Sequence, residues 1–143
     1  MAPTDIATGI APNRGWTLAL WAAQILLALM FAMAGGMHAF MAPPALAQMG
    51  ATWAADAPIW LVRFVGLAEL AGAIGIIFPA LTRIQPGLTP LAAAGFATIQ
   101  AAAMVLHVTR GEAQVLPMNL ILLALALFVA WGRTSKAPVT PRS

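Results

Sequence analysis

The chain contains no cysteine, and only 8% of its 143 residues are charged. The lack of cysteine excludes disulfide exchange, thiolate catalysis and thiolate-ligated zinc or iron–sulfur sites within these residues. Soluble domains carry roughly 25% charged residues, so an ordinary soluble domain is excluded as well. Any redox role therefore needs a bound cofactor or a partner protein.

Acidic residues are the scarcest charged group, with four Asp and Glu against seven Lys and Arg. The high isoelectric point follows from this scarcity and not from a basic face, which excludes a nucleic-acid partner. Hydrophobic residues make up 62% of the chain, and the mean hydropathy is +0.89. These values are typical of a membrane protein, and the length allows one domain in contact with lipid.

Four stretches are long and apolar enough to cross a bilayer, which takes about 20 helical residues. We predict spans over residues 16–40, 60–78, 87–108 and 117–132, hence an all-α integral membrane four-helix bundle. Pro117 suits the first turn of the fourth span, because its missing N–H needs no partner there. The first span resembles a secretory signal, with "AMA" as a cleavage site, but we interpret it as a membrane anchor.

The charges outside the spans predict the orientation. The two tails, residues 1–15 and 133–143, and the second connection share one side, which holds most of the basic residues: Arg14, Arg83, Arg133, Lys136 and Arg142. The positive-inside rule then places both termini in the cytoplasm, and we expect a bacterial inner-membrane protein. The polar, proline-containing C-terminal tail is expected to be mobile. The long first connection is expected to lie in the interface, anchored by Trp53 and Trp60.

Polar residues from all four spans fall at one depth. The outer ends of the spans carry His38, Arg63, His107 and Asn119, Glu69 lies deeper, and Gln100 shares a helical face with His107. A charge inside a span costs roughly 2.5–3.5 kcal/mol, so these groups call for an explanation. We predict an outward-facing polar pocket with Glu69 at its floor. For each of these groups taken alone, snorkelling to the interface, capping of a helix or an interhelical hydrogen bond would explain its position without a ligand.

The stretch "MFAMAGGMHAFM" raises the question of a metal site. Met30, Met33, Met37 and Met41 form one stripe along the first span. Thioethers suit Cu(I), and the weak metal candidates are Met37, Met41 and His38. A stripe three turns long does not converge on one ion, however, and methionine also fills irregular helix contacts. We therefore favour packing, together with the small residues such as Gly66 and Gly72 that allow close helix approach.

The string "RFVGLAELAGAIGIIFP", the histidine that ends the third span, the short "RGE" loop and the asparagine that opens the fourth span resemble the DoxX and DoxX-like family of small four-helix membrane proteins. The resemblance covers residues 16–132. It implies an association with quinone-linked redox complexes or, in more distant relatives, with assembly. The family pattern falls on Arg63, Glu69, His107 and Asn119.

Two functions from different classes follow. In the first, the chain is an accessory subunit of a redox complex, and the pocket binds a quinone or a similar small molecule. Glu69 and His107 would transfer a proton or donate to a carbonyl, while His38, Arg63, Gln100 and Asn119 would bind the ligand. In the second, the chain is a structural or assembly subunit without its own ligand. Transport of a solute or a proton through the bundle is a third function, for which the sequence gives less support. The sequence also leaves open whether the chain forms a homo-oligomer.

Overall fold

The computed structural model describes residues 13–143, so residues 1–12 of the predicted N-terminal tail lie outside the described part. Its four long helices are α1 (Arg14–Phe40), α4 (Ile59–Thr82), α5 (Leu88–Thr109) and α6 (Leu116–Ser135). Two short helices, α2 (Pro43–Gln48) and α3 (Trp53–Asp56), lie between α1 and α4, and a 3₁₀ turn (Ala113–Val115) precedes α6. The all-α prediction is confirmed.

The four long helices are long and apolar enough to cross a membrane. They run up and down around a ring, in which α1 contacts α4 and α6, and α5 contacts the same two helices. Pro117 stands in the first turn of α6, as the sequence predicts. The fourth helix continues to Ser135, three residues beyond the predicted end of its span, and α4 runs past Pro79 to Thr82.

The core depends on close contacts between glycines and their neighbours. A Cβ atom at Gly35 of α1 would lie 2.8 Å from the carbonyl oxygen of Gly66 on α4, closer than a side chain tolerates. Gly72 of α4 makes room in the same way for the Phe96 ring of α5. That ring stacks on Phe31 of α1, with 3.7 Å between ring centroids. The small residues that the sequence analysis singled out therefore allow the helices of the bundle to pack closely against one another.

The two ends of the bundle differ in chemistry. At the histidine end, α1 finishes after His38 and α5 finishes after His107, and the α2–α3 segment covers this end. At the arginine end, Arg83 follows α4 and Arg133 lies in the last turn of α6. Trp16 of α1 meets Trp131 of α6 there, with ring centroids 5.4 Å apart.

The C-terminal residues lie against the arginine end. Ala137 is buried, and the backbone N–H of Arg142 donates to the carbonyl oxygen of Arg83 at 3.1 Å. The Arg83 side chain returns a hydrogen bond from its Nε to the carbonyl oxygen of Thr140, at 3.0 Å. The mobility of residues 133–143 stays a prediction. The first residues of this segment belong to α6, and its later residues make the hydrogen bonds to Arg83 given above.

Candidate functional site: a cavity at the histidine end

A histidine–glutamate pair, in which Glu69 is buried and His38 is half-buried, joins α1 to α4. Nδ1 of His38 lies 2.7 Å from Oε2 of Glu69, and Glu69 is only 5% exposed. Both residues sit below the end of their bundle, where α1 and α4 are held together by Gly35 and Gly66. An acid at this depth needs a partner inside the bundle, since lipid offers none. His38 supplies it, and its Nε2 remains the ring nitrogen available to a ligand.

The pair forms part of the wall of a cavity of about 680 Å³. This volume lies within the range of roughly 300–1,000 Å³ that is usual for small-molecule sites. Most of the lining is apolar and comes from α4 and α5, including Leu61, Phe64 and Ile99. The polar side chains in the lining are His38, Trp53, Asp56, Glu69, Thr98, Gln100, His107, Arg110 and Asn119.

Five of the six residues predicted to form the pocket therefore meet at one cavity. Gln100 and His107 both line it from α5, as their two-turn spacing predicts, and Asn119 lines it from the first turns of α6. Gln100 is 7% exposed, and its Oε1 has no hydrogen-bond partner among residues 13–143. Gln100 is thus a buried amide beside the cavity, and its oxygen is covered by the protein.

A second histidine–glutamate pair closes the cavity from above. Nδ1 of His107 lies 2.6 Å from Oε2 of Glu112, whose other carboxylate oxygen accepts a 2.6 Å hydrogen bond from the Thr52 hydroxyl. Arg110 also bonds this carboxylate, with Nε 2.9 Å from Oε1. Nη1 of Arg110 lies 2.8 Å from Oδ2 of Asp56. These contacts fix the α2–α3 segment, hereafter the roof (residues 42–58), to the end of α5.

The roof contacts shift the pKa of the groups that make them. Hydrogen bonds from Thr52, then His107 and Arg110, lower the pKa of Glu112 from its usual 4.5 to about 2. The pKa of Arg110 is raised, mainly by its hydrogen bond to Glu112 and next by that to Asp56. The carboxylate of Glu112 is therefore ionised at neutral pH, where it acts as the centre of the roof contacts.

Comparison with known proteins identifies the family of the chain. The sequence model of the DoxX-like family matches residues 22–129, which include α4 and α5 completely and most of α1 and α6. The chain belongs to the DoxX-like family. It is thus a multi-pass membrane protein, as its four apolar helices indicate. No curated protein and no solved structure matches it.

Arg63 is the one predicted pocket residue of this DoxX-like protein that does not line the cavity. Its Nη1 donates to the carbonyl oxygens of His38 and Met41, at 2.8 and 2.7 Å. These carbonyls belong to the open end of α1, where no later turn of helix can bond them. Arg63 therefore caps α1 and orients the His38 backbone, and the contact of Arg63 with a ligand stays a prediction.

The methionines of α1 divide between two environments. Met37 and Met41 pack against an apolar cluster formed by Leu46 and Ala54 of the roof and Val62 of α4. Met33 is 60% exposed and faces outward. His38, the third candidate copper ligand, instead contacts Glu69 on α4. The stretch that suggested a copper site in the DoxX-like chain thus packs the roof onto α1.

Sequence reasoning missed two features of the protein. Trp53, predicted as an interfacial anchor, turns inward, lines the cavity and meets the His38 ring with 5.3 Å between centroids. At the arginine end, Nε of buried Arg133 donates to Oε1 of buried Gln24 at 2.6 Å, and Gln24 donates to the carbonyl oxygen of Ile76. The isolated glutamine in the first apolar span was the only available signal for this second network.

Proposed function

We propose that this DoxX-like protein binds the head group of a quinone in the cavity and serves as an accessory subunit of a quinone-linked redox complex. The observation that carries the proposal is the His38–Glu69 pair in the wall of a largely apolar cavity. The pair offers a proton donor and a proton acceptor where a lipid-soluble molecule has access. We place the complex in a bacterial inner membrane.

The chemistry of the wall suits a quinone. Its ring needs an apolar slot, which Leu61, Phe64 and Ile99 provide, and its carbonyl oxygens need donors. Nε2 of His38 and the side chain of His107 are the donors proposed for this task, as the sequence suggested. Trp53 lies beside His38 and offers a flat face to the ring.

The redox step needs both electrons and protons. A quinone becomes a quinol by taking up two electrons and two protons, and the reverse reaction releases them. The electrons must come from or go to a redox centre in a partner subunit, such as a flavin, a haem or an iron–sulfur cluster. Glu69 would pass one proton to or from one quinone oxygen through His38, and His107 would transfer the second proton at the other oxygen.

The charge distribution supports an outward-facing cavity. Arg14, Arg83, Arg133, Lys136 and Arg142 all belong to the arginine end, whereas the acidic side chains Asp56 and Glu112 lie at the histidine end. By the positive-inside rule the arginine end faces the cytoplasm. The cavity then opens in the outer half of the membrane, and both termini are cytoplasmic.

The proposal is tested by extracting the protein gently from its native membrane and analysing one sample by mass spectrometry, for proteins and for organic extracts. A stoichiometric quinone together with a redox partner is the expected result, and Glu69→Gln should lower the bound quinone and the turnover of the complex. A stable partner without any quinone, with turnover unaffected by Glu69→Gln, would contradict the proposal and favour the assembly function.

A further inference from the structure

The arginine end of the bundle has a cavity of its own, with a volume of about 560 Å³. Its walls come from the connection between α4 and α5 and from the C-terminal residues that lie against this end, and we call it the arginine cavity. Two arginine side chains line it, Arg83 and Arg142. Four of the other lining residues are apolar: Ile84, Pro86, Val139 and Pro141. The volume is usual for a small-molecule site, which takes roughly 300–1,000 Å³.

Hydrogen bonds hold the two arginines side by side. The backbone N–H of Arg142 donates to the carbonyl oxygen of Arg83 at 3.1 Å. The Arg83 guanidinium donates from Nε to the carbonyl oxygen of Thr140 at 3.0 Å, and from Nη2 to the Thr140 hydroxyl and the Pro141 carbonyl oxygen at 3.3 and 3.4 Å. These bonds fix the guanidinium and leave its Nη1 without an acceptor among residues 13–143.

The positive charge of this cavity is not neutralised by the described part of the chain. Neither Arg83 nor Arg142 forms an ion pair there, and the Arg142 side chain donates no hydrogen bond to residues 13–143. The acidic side chains among these residues, Asp56, Glu69 and Glu112, all belong to the histidine-end cavity or its roof contacts. An anion that pairs with the two arginines therefore comes from another molecule.

The position of the arginine cavity along the bundle indicates which molecule. Arg83 is the first residue after α4, whose 24 residues are enough to cross the hydrocarbon core. Trp16 and Trp131 meet at the same end, and the Lys136 ammonium lies 5.2 Å from the centre of the Trp131 ring. Tryptophans and basic residues collect where the bilayer meets water. The cavity thus lies at the level of the lipid phosphates.

The chemistry of the lining fits a phospholipid. A guanidinium is planar and binds phosphate oxygens with paired, charge-assisted hydrogen bonds. The apolar side chains of Ile84 and Val139 offer a surface to the glycerol and to the first methylene groups of the acyl chains. Basic pockets at the ends of membrane helices are typical sites for anionic head groups. The positive-inside rule explains why arginines lie at this end, but not why two of them line one cavity.

We propose that the arginine cavity binds the phosphate group of an anionic phospholipid. Nη1 of Arg83 and the guanidinium of Arg142 hold the phosphate, and the glycerol lies against the apolar lining. The site goes beyond the proposed function, since it needs neither a quinone nor a redox partner. A lipid bound there joins the α4–α5 connection to the C-terminal residues and fixes this end of the bundle to one leaflet of the membrane.

The proposal is tested with the full chain, stripped of lipid in a mild detergent and titrated with dioleoylphosphatidylglycerol, while native mass spectrometry resolves each bound lipid. The first molecule should bind severalfold more tightly than dioleoylphosphatidylcholine. Arg142→Gln should weaken it about fivefold, which corresponds to the loss of one arginine near a membrane surface. Arg14→Gln is the matched control, because it removes one charge from an exposed residue at the same end that does not line the cavity. It should leave the affinity unchanged.

A competition with inorganic phosphate, against chloride at equal ionic strength, separates a lipid from a soluble phosphate. We expect no displacement of the first phosphatidylglycerol. Displacement that is strong in the wild type and absent in Arg142→Gln would overturn the lipid as the ligand, because a soluble phosphate would then occupy the same arginines. Equal weakening by Arg142→Gln and Arg14→Gln, or no weakening by either, would overturn the site, since the cavity would then add nothing to the general attraction of a basic surface. None of these outcomes bears on the quinone proposal.

Discussion

Thr52 and Glu112 are separated by 60 positions in the chain and joined by a 2.6 Å hydrogen bond. This bond connects the roof to the turn after α5, and with the Arg110 contacts it covers the histidine end of the cavity. Thr52→Val removes the donor and keeps the side-chain shape. We expect severalfold faster hydrogen exchange of the backbone amides in residues 42–58, measured by mass spectrometry, with no change in the four long helices.

Thr109→Val is the matched control for this variant, because the Thr109 hydroxyl donates only within its own helix, to the carbonyl oxygen of Leu106. It should leave exchange in the roof unchanged. Equal exchange in the wild type and Thr52→Val would show that the hydrogen bond does not hold the roof.

The roof should also loosen in acid. The pKa of Glu112 is lowered from 4.5 to about 2, and the largest cause is the hydrogen bond from Thr52, which is the one of its three hydrogen-bond partners that belongs to the roof. Its contribution to closure is therefore fully present above pH 4.5, decreases as the pH falls, and is lost below the lowered value. Accessibility of Trp53 to acrylamide should rise over this window, and Glu112→Gln should show high accessibility already at neutral pH. A wild-type profile that is flat from pH 5 to the acid end would contradict the assignment.

Much of the architecture follows from the sequence because membrane helices are specified by length and hydropathy. The four spans, Pro117 in the first turn of α6 and the shared depth of His38, His107 and Asn119 all depend on local sequence and on the alternation of direction through the bilayer. Gln100 follows from the helical period, which places it on the face of His107. Depth and face together were enough to predict five of the nine polar side chains in the cavity lining.

The partners of the polar groups could not be derived in this way. Arg63 shares the depth of the pocket, but a rotation about its helix axis decides whether it meets a ligand or the carbonyls at the end of α1. Trp53 lies in a connection without helical periodicity, so its inward orientation had no signal. Gln24 and Arg133 are 109 positions apart, and only the packing of α1 on α6 brings them together.

The contact between α1 and α4 depends on Gly66. A Cβ atom there would meet the backbone of Ala39 and the carbonyl oxygen of Gly35, and backbone atoms have no room to move aside. Gly66→Ala should destabilise the protein by about 1–3 kcal/mol, the usual cost of overpacking a core. Gly36→Ala is the control, because Gly36 has open space around it and alanine favours the helix by up to about 1 kcal/mol. Denaturation in mixed micelles measures both, and a Gly66→Ala protein as stable as Gly36→Ala would argue against the contact.

The Gln24–Arg133 pair should stabilise the arginine end. Arg133 is 5% exposed, it lies over the Trp21 ring at 5.3 Å from the centroid, and it has no carboxylate partner among the described residues. A double-mutant cycle of Gln24→Leu and Arg133→Met should give a coupling of about 1.5–3 kcal/mol, as for hydrogen bonds to charged groups. Gln24→Leu with Thr98→Val, whose hydroxyl bonds only within α5, should be additive. Additivity in the first pair would show that the contact contributes no stability.

The central claim is that the His38–Glu69 pair binds a quinone head group. It is tested most directly by titrating decylubiquinone into the protein in nanodiscs and following Trp53 fluorescence in three forms: the wild type, Glu69→Gln, and Lys136→Gln as a charge change at the arginine end. The account predicts saturable quenching in the wild type and Lys136→Gln, and an affinity about tenfold weaker in Glu69→Gln, the equivalent of 1.4 kcal/mol. Identical titrations for all three proteins, or quenching that never saturates, would contradict it.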